Sequence, residues 1–209
     1  MSLPHHNAQN GSAKKSLKPV SPLFALVATQ RFKIPQANEV DRIGQLVDLA
    51  GKGDSTSRRL ALRMHFGTRQ SSYYREAAEI LGFLSTHRKY VLTDLGIDFL
   101  MAGHQARIRM MTCAVLQSPI IRTILAGLLA NVVKFTTRKD LEEFIRVTSR
   151  LKEPTIRRRA QTIMAWLRWV NKYSGIISVQ KDVVRLERQQ KFAGEFAIRG
   201  SRISQSRLS

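Results

Sequence analysis

The chain has 209 residues, with 35 Lys and Arg against 15 Asp and Glu, which gives a formal net charge of +20 at pH 7. Hydrophobic residues make up 43% of the chain, enough for a buried core and too many for wholesale disorder. The longest apolar stretch, 118–133, is interrupted by Arg122, so we expect no membrane-spanning helix.

The single cysteine, Cys113, excludes a disulfide framework and a cysteine-based zinc site, and it fits a reducing compartment. Segment 1–18 is polar and lacks the apolar stretch of a secretory signal, so we expect none. These features predict a cytoplasmic protein. Segments 1–22 and 189–209 are rich in Ser and basic residues without periodicity, and they predict a flexible basic arm and tail. Both ends either add phosphate contacts or are idle.

Residues 23–103 predict a first domain of four helices. Apolar spacing and breaker residues predict helices over 39–50, 56–65 and 68–81, the second capped by Asp54-Ser55. The polar, basic turn 85–89 and the extended residues 90–92 follow, and Thr93 caps a fourth helix. Three helices followed by a basic turn with a strand pair are the layout of a winged helix-turn-helix.

Residues 104–188 predict a second domain with the same plan. A long apolar helix covers 108–129, with a kink at Pro119, and a second helix capped by Thr136-Thr137 covers 138–150. A third helix covers 155–173, and strands at 176–179 and 183–186 flank a turn. The fold class predicted is therefore mainly α with short β-hairpin wings, arranged as two tandem winged helix-turn-helix domains.

The third helices of the two domains also align residue by residue. Segment 72–77 matches 155–160 in its small, apolar and basic positions, and Ile80 matches Ile163 further along. This similarity indicates an internal repeat, with chance alignment as the alternative.

The charge of the second domain points to a polyanionic partner. Residues 104–188 contain 17 Lys and Arg but only 6 Asp and Glu. Such a surplus attracts DNA, RNA or an anionic membrane, since neutralised phosphates release condensed counterions. The plain alternative is a basic protein without such a partner.

The N-terminal half of the helix from Thr68 is the first candidate nucleic-acid contact. Free N–H groups and the helix dipole favour phosphates there, and Arg and Gln side chains suit guanine and adenine edges. The expected contacts on this helix and the following turn are Arg69, Gln70, Ser71, Ser72, Tyr73, Arg75, His87, Arg88 and Lys89. Tyr74 is expected in the core.

The helix from Thr155 is the second candidate contact. Arg157 and Gln161 are four residues apart and share a face, whereas three consecutive arginines cannot all point one way. The expected contacts on this helix and its hairpin are Thr155, Arg157, Arg158, Arg159, Gln161, Thr162 and Lys181. Trp166 and Trp169 either form a base-stacking platform or, as we expect from their helical spacing, belong to the core.

The sequence contains no recognisable catalytic set. No Asp or Glu is followed by Lys two positions later, the five histidines are not spaced as a metal cluster, and phosphate-loop and nucleophile-elbow motifs are missing. We therefore expect no enzyme activity, no catalytic residues, no metal, no cofactor and no small-molecule substrate. Cys113 is expected to be buried, and Glu76, Glu79, Glu142 and Glu143 to be solvated.

Two stretches resemble a known family. Segments 69–84 and 90–96, and later 157–169, resemble winged-helix DNA-recognition modules of restriction systems, which occur alone or attached to type II restriction endonucleases. The resemblance implies recognition of duplex DNA by two tandem modules. The chain lacks the nuclease motif of the endonuclease members, so cleavage would require a partner chain.

The sequence therefore predicts a nucleoid-associated protein that binds duplex DNA with some sequence preference. It would serve as a recognition component of a restriction or defence system, with a nuclease or methyltransferase chain as partner and no membrane contact. Four alternatives stay open: a plasmid or phage replication initiator or transcription regulator, a basic RNA-binding protein, a protein-interaction adaptor, and a nuclease.

Overall fold

A computed structural model describes residues 33–54, 56–87, 90–130 and 132–187. They form a mainly helical protein with one small antiparallel sheet. The elements in chain order are α1 Val40–Gly51, α2 Ser57–Arg63, α3 Thr68–Ile80, α4 Asp94–Met101, α5 His104–Gln117, α6 Pro119–Leu129, β1 Thr136–Thr137, α7 Arg138–Thr148, α8 Glu153–Ser174, β2 Ile177–Gln180 and β3 Val183–Leu186. The mainly helical class is confirmed. The predicted arm 1–22 and tail 189–209 lie outside the described residues.

Polar caps explain where several helices begin. The Thr93 hydroxyl accepts a hydrogen bond from the Gly96 amide at the start of α4, as predicted. Thr137 and Asp140 form a reciprocal capping box at the start of α7. At α2 the predicted cap, Asp54-Ser55, is wrong, because Thr56 accepts the capping bond from the Arg59 amide.

The predicted long helix over 108–129 is two helices. α5 begins earlier, at His104, and ends at Gln117, while α6 begins at Pro119 and is bent from α5 by 74°. Ser118 between them has φ −58° and ψ 137°, because a residue before proline is driven out of the helical region. Among the described residues no single helix is long and apolar enough to cross a membrane, although this bent pair passes that test by length and composition together.

The sheet lies in the second half of the chain. Its order is β1-β3-β2, with both neighbours antiparallel, and the β2–β3 hairpin was predicted within a residue. β1 was not predicted as a strand, since Thr136 and Thr137 were assigned only a capping role. In the first half, the predicted strand pair is a single bridge between Leu84 and Leu92. The two candidate wings therefore differ greatly in size.

One cluster of buried side chains includes residues from both predicted domains. Tyr74 and Phe83 of the first half and Trp166 of the second are among its largest fully buried members. The Trp166 indole N–H donates to the backbone oxygen of Ala37 at 2.8 Å, so the segment before α1 is fixed against α8. The predicted boundary between residues 103 and 104 thus does not divide two separate cores.

Two expected environments are wrong. Cys113 is exposed, because the buried residues of α5 near it are Met111, Thr112, Ala114 and Val115 and position 113 faces outward between them. Glu79 is not a solvated acid: only 8% of its side chain is exposed, and it pairs with Arg75. The prediction that Tyr74 and Trp166 are core residues is confirmed.

Replacing Gly96 with Ala is expected to destabilise the protein by about 1–3 kcal/mol, the usual cost of overpacking. An added Cβ at Gly96 would overlap the backbone oxygen of Phe83 and lie 3.2 Å from its carbonyl carbon. Urea unfolding followed by circular dichroism measures the loss. The control is Gly103→Ala, where an added Cβ meets nothing within 4 Å and only the N-cap preference of α5 changes. Equal losses in both variants would contradict the steric argument.

Candidate nucleic-acid interface

The N-terminal half of α3 presents polar side chains on one side because its other side is buried. Gly67 precedes the helix in an extended conformation, and Ser71, Tyr74, Ala77 and Ala78 face the core. Arg69 and Gln70 are exposed and Tyr73 is half-buried. The first turn of α3 therefore combines free backbone N–H groups with a cation and an amide, as the sequence predicts.

Helix α8 has a longer exposed stripe. It begins at Glu153, directly after the loop that follows α7, and has Pro154 in its first turn. Gly175 caps its C-terminus with a φ of +62°, in the left-handed region that glycine adopts easily. Its buried residues are Ile156, Ala160, Thr162, Ile163, Met164, Trp166, Leu167 and Val170. Its exposed positions are Pro154, Arg157, Arg158, Gln161, Arg168 and Lys172. Four of them, Arg157, Gln161, Arg168 and Lys172, we call the α8 stripe. Their spacing of four, seven and four residues places them along one helix face.

An arginine–tyrosine cluster joins α3 to α8. It consists of Arg69, Tyr73 and Arg158. The Arg69 guanidinium carbon lies 5.7 Å from the Tyr73 ring centroid, and that of Arg158 lies 5.5 Å from the same centroid. The Arg69 Nε also donates to the Tyr73 hydroxyl. Two cations from opposite halves of the chain are thus held at one aromatic ring.

The segment before α1 accepts hydrogen bonds from two arginines of α8 at this cluster. Arg158 donates through Nη2 to the Gln36 side-chain oxygen at 2.6 Å, and Arg159 donates through Nη1 to the backbone oxygen of Ile34 at 2.9 Å. Burial lowers the pKa of Arg159, the nearby Arg158 lowers it further, and Glu76 opposes both. Arg159 is half-buried and hydrogen-bonded to this segment, so it holds the segment against α8.

The hairpin turn lies next to the α8 stripe. Arg168 donates to the Lys181 backbone oxygen at 2.9 Å and to the Asp182 carboxylate at 3.1 Å. Lys181 is exposed and has φ +53°, which turns the chain between β2 and β3. These two bonds fix the hairpin turn against α8 at Arg168.

One acidic side chain, Glu153, lies next to the first cation of the α8 stripe and partly offsets its charge. Glu153 accepts hydrogen bonds from Arg146, which is the main reason that its pKa is lowered, and lies 3.5 Å from Arg157. Arg157 still has 69% of its side chain exposed. It remains available to an anion.

The predicted contacts fall into distinct groups. Ser71 and Thr162 are wrong, because both are buried and donate to backbone oxygens, of Ser57 and Arg158 respectively. Arg75 forms an ion pair with Glu79, and its guanidinium lies over the Tyr90 ring, so its charge is already engaged by groups within the protein. Arg88 and Lys89 lie outside the described residues. The exposed ones are Arg69, Gln70, His87, Arg157, Arg158, Gln161 and Lys181, and the half-buried ones are Ser72, Tyr73, Arg75, Thr155 and Arg159.

Sequence reasoning missed Arg168 and Lys172. The signal was present, because extending the spacing of Arg157 and Gln161 along the helix leads to both residues. Trp169 is half-buried, donates to the Asp41 carboxylate at 3.0 Å and contacts the Tyr173 ring with the two planes tilted by 51°, so its ring is engaged within the protein.

Together, fold and surface define a mainly helical protein with a small antiparallel sheet and an exposed basic helix face. Within the described ranges, no group of three or more His, Cys, Asp or Glu could hold a metal ion. The chain belongs to a family described as a domain of unknown function (DUF7226), whose model matches residues 42–174. The match runs from α1 to the last residue of α8, across the boundary between the predicted domains. No curated protein and no solved structure matches the chain.

Proposed function

We propose that the protein binds duplex DNA through the arginine–tyrosine cluster and the α8 stripe. The observation that carries this proposal is the meeting of Arg69 and Arg158 at the Tyr73 ring. It joins the start of α3 to α8, so the two helices with the predicted contacts share one basic surface.

We also propose that both halves are winged helices. In support, the second half has the order α6, β1, α7, α8, β2, β3, with β3 between the other two strands. This order has the helix pair of a helix-turn-helix followed by a hairpin. The first half has α1, α2 and α3 followed by the Leu84–Leu92 bridge, which would be a minimal wing.

Duplex DNA suits this surface better than a single strand. A single strand is bound by exposed aromatic rings on which bases stack, but Trp166 is fully buried and Trp169 is occupied by Asp41 and Tyr173. The major groove is about 12 Å wide and admits one helix with its side chains. The α8 stripe extends over about 22 Å of such a helix.

The biological role is a separate proposal. A recognition component of a restriction or defence system, working with a nuclease or methyltransferase chain, follows from the winged-helix resemblance alone. A replication initiator or transcription regulator would use the same surface. Protection of repeated origin sequences in a footprint would favour the initiator.

Titrations against duplex DNA, single-stranded DNA and duplex RNA of equal length test the proposal over about 50–200 mM salt. We expect the tightest binding to duplex DNA. The logarithm of its affinity should fall steeply with the logarithm of salt concentration, with a slope near −4 to −5 if about five phosphates are neutralised. Tighter binding to RNA at equal salt would favour the RNA-binding alternative, and no binding at about 50 mM salt would refute nucleic-acid binding.

A further inference from the structure

A cleft of about 310 Å³ lies between four helices, away from the arginine–tyrosine cluster. Its volume is within the range of small-molecule sites, which are mostly apolar with a few polar groups that fix orientation. The lining comes from α1, α4, α5 and α8 and comprises Asp41, Gly44, Gln45, Asp48, Phe99, His104, Arg107, Ile108, Met111 and Trp169.

The floor of the cleft is apolar and depends on a glycine. Phe99 and Met111 are buried beside Gly44 of α1. A Cβ at Gly44 would lie 3.3 Å from the Phe99 Cζ and 3.6 Å from the Met111 Cε. The glycine at position 44 therefore lets these two side chains pack directly against α1, which makes the floor of the cleft apolar.

The rim of the cleft contains two carboxylates from one face of α1, Asp41 and Asp48. Arg107 neutralises Asp48 at 2.8 Å and also donates to the backbone oxygens of Leu100 and Ala102, so its guanidinium is committed. Asp41 accepts the Trp169 indole N–H at 3.0 Å and, among the described residues, forms no ion pair within 4 Å. On α8, Tyr173 and, to a smaller extent, Asp41 raise the pKa of Lys172.

We propose that this cleft binds a small organic cation, an aromatic amine or amidine. Its cationic group would lie at the Asp41 carboxylate, and its ring would lie in the cleft over the apolar floor that Phe99 and Met111 form. Opposite charge at the rim is the reason for the choice, because the Asp41 carboxylate forms no ion pair among the described residues. This proposal does not rest on DNA binding, and it departs from the expectation that no small molecule is bound.

Titration of the full chain with benzylamine near pH 7, where the amine is protonated, tests the proposal. Trp169 lines the cleft and Trp166 is fully buried, so tryptophan emission reports on occupancy. We expect a saturable change with a midpoint in the low millimolar range, since a ligand of about eight heavy atoms gains roughly 0.5 kcal/mol per atom. Benzyl alcohol, the neutral match, should bind at least about ten-fold more weakly.

Two variants locate the site. Asp41→Asn should raise the benzylamine midpoint by about ten-fold and remove the preference over benzyl alcohol, whereas Asp94→Asn, at an exposed acid of α4, should change neither. Gly44→Ala should weaken both probes, because the added Cβ would lie 3.3 Å from the Phe99 Cζ and push that ring of the floor out of place. A linear, unsaturable response, equal midpoints for the two probes, or a midpoint unaffected by Asp41→Asn would each overturn the proposal.

Discussion

Replacing Arg158 with Gln is expected to weaken duplex DNA binding by about 1–3 kcal/mol, which is roughly 5- to 150-fold. The side chain is exposed at the point where α3 and α8 meet, and its guanidinium lies over Tyr73 while Nη2 is held by Gln36. These contacts reduce the conformational freedom that the side chain would lose on binding a phosphate or a base. Fluorescence anisotropy with a labelled duplex at fixed salt measures the effect.

The matched control is Arg109→Gln, which removes the same charge from an exposed position on α5. Its affinity should fall by less than about three-fold, because only the long-range attraction of the basic protein decreases. Equal losses in both variants would mean that net charge alone drives binding and would remove the cluster from the interface.

Tyr73 should act through the two arginines. Because Arg69 and Arg158 share its ring, Tyr73→Leu and Arg158→Gln should be less than additive when combined. Full additivity would show that Tyr73 does not position Arg158. The double variant thus separates a shared cluster from two independent contacts, which a single substitution cannot do.

Local signals predicted the helices well because they depend on neighbouring residues. The cap at Thr93 and the glycine at 175 each act within one turn of the helix that they begin or end, whereas Pro119, predicted as a kink, begins a separate helix. The meeting of Tyr73 with Arg158 was not predictable in this way. It joins residues 85 positions apart, and only the packing of α8 against the rest of the core brings them together.

Polar residue type also misled the prediction of the interface. Ser71 and Thr162 were predicted as contacts among the polar residues of the two candidate helices, yet in a helix a hydroxyl also satisfies its hydrogen bond with a nearby backbone oxygen and then tolerates burial. Thr162 does this with Arg158, four residues earlier. The internal alignment also gave equivalent positions different roles. Arg75 and Arg158 match in the repeat, but Arg75 forms an ion pair with Glu79, whereas Arg158 remains exposed.

Replacing Trp166 with Ala is expected to destabilise the protein by about 3–5 kcal/mol, the usual cost of removing a large buried aromatic side chain. Trp166 is fully buried, and its indole N–H is bonded to the Ala37 backbone oxygen. Trp166→Phe should cost less, about 1–3 kcal/mol, because it keeps most of the packing but leaves that oxygen without its donor. Urea unfolding monitored by circular dichroism gives both values.

Trp169→Phe is the control, since Trp169 is half-buried and bonded to the exposed Asp41, and its cost should stay below about 1 kcal/mol. Trp166→Phe should also lower DNA affinity under conditions where the protein remains folded. The reason is that Ala37 adjoins Gln36, which holds Arg158 at the cluster. If Trp166→Phe lowers stability but leaves DNA affinity unchanged, then the segment before α1 stabilises the core without positioning the cluster.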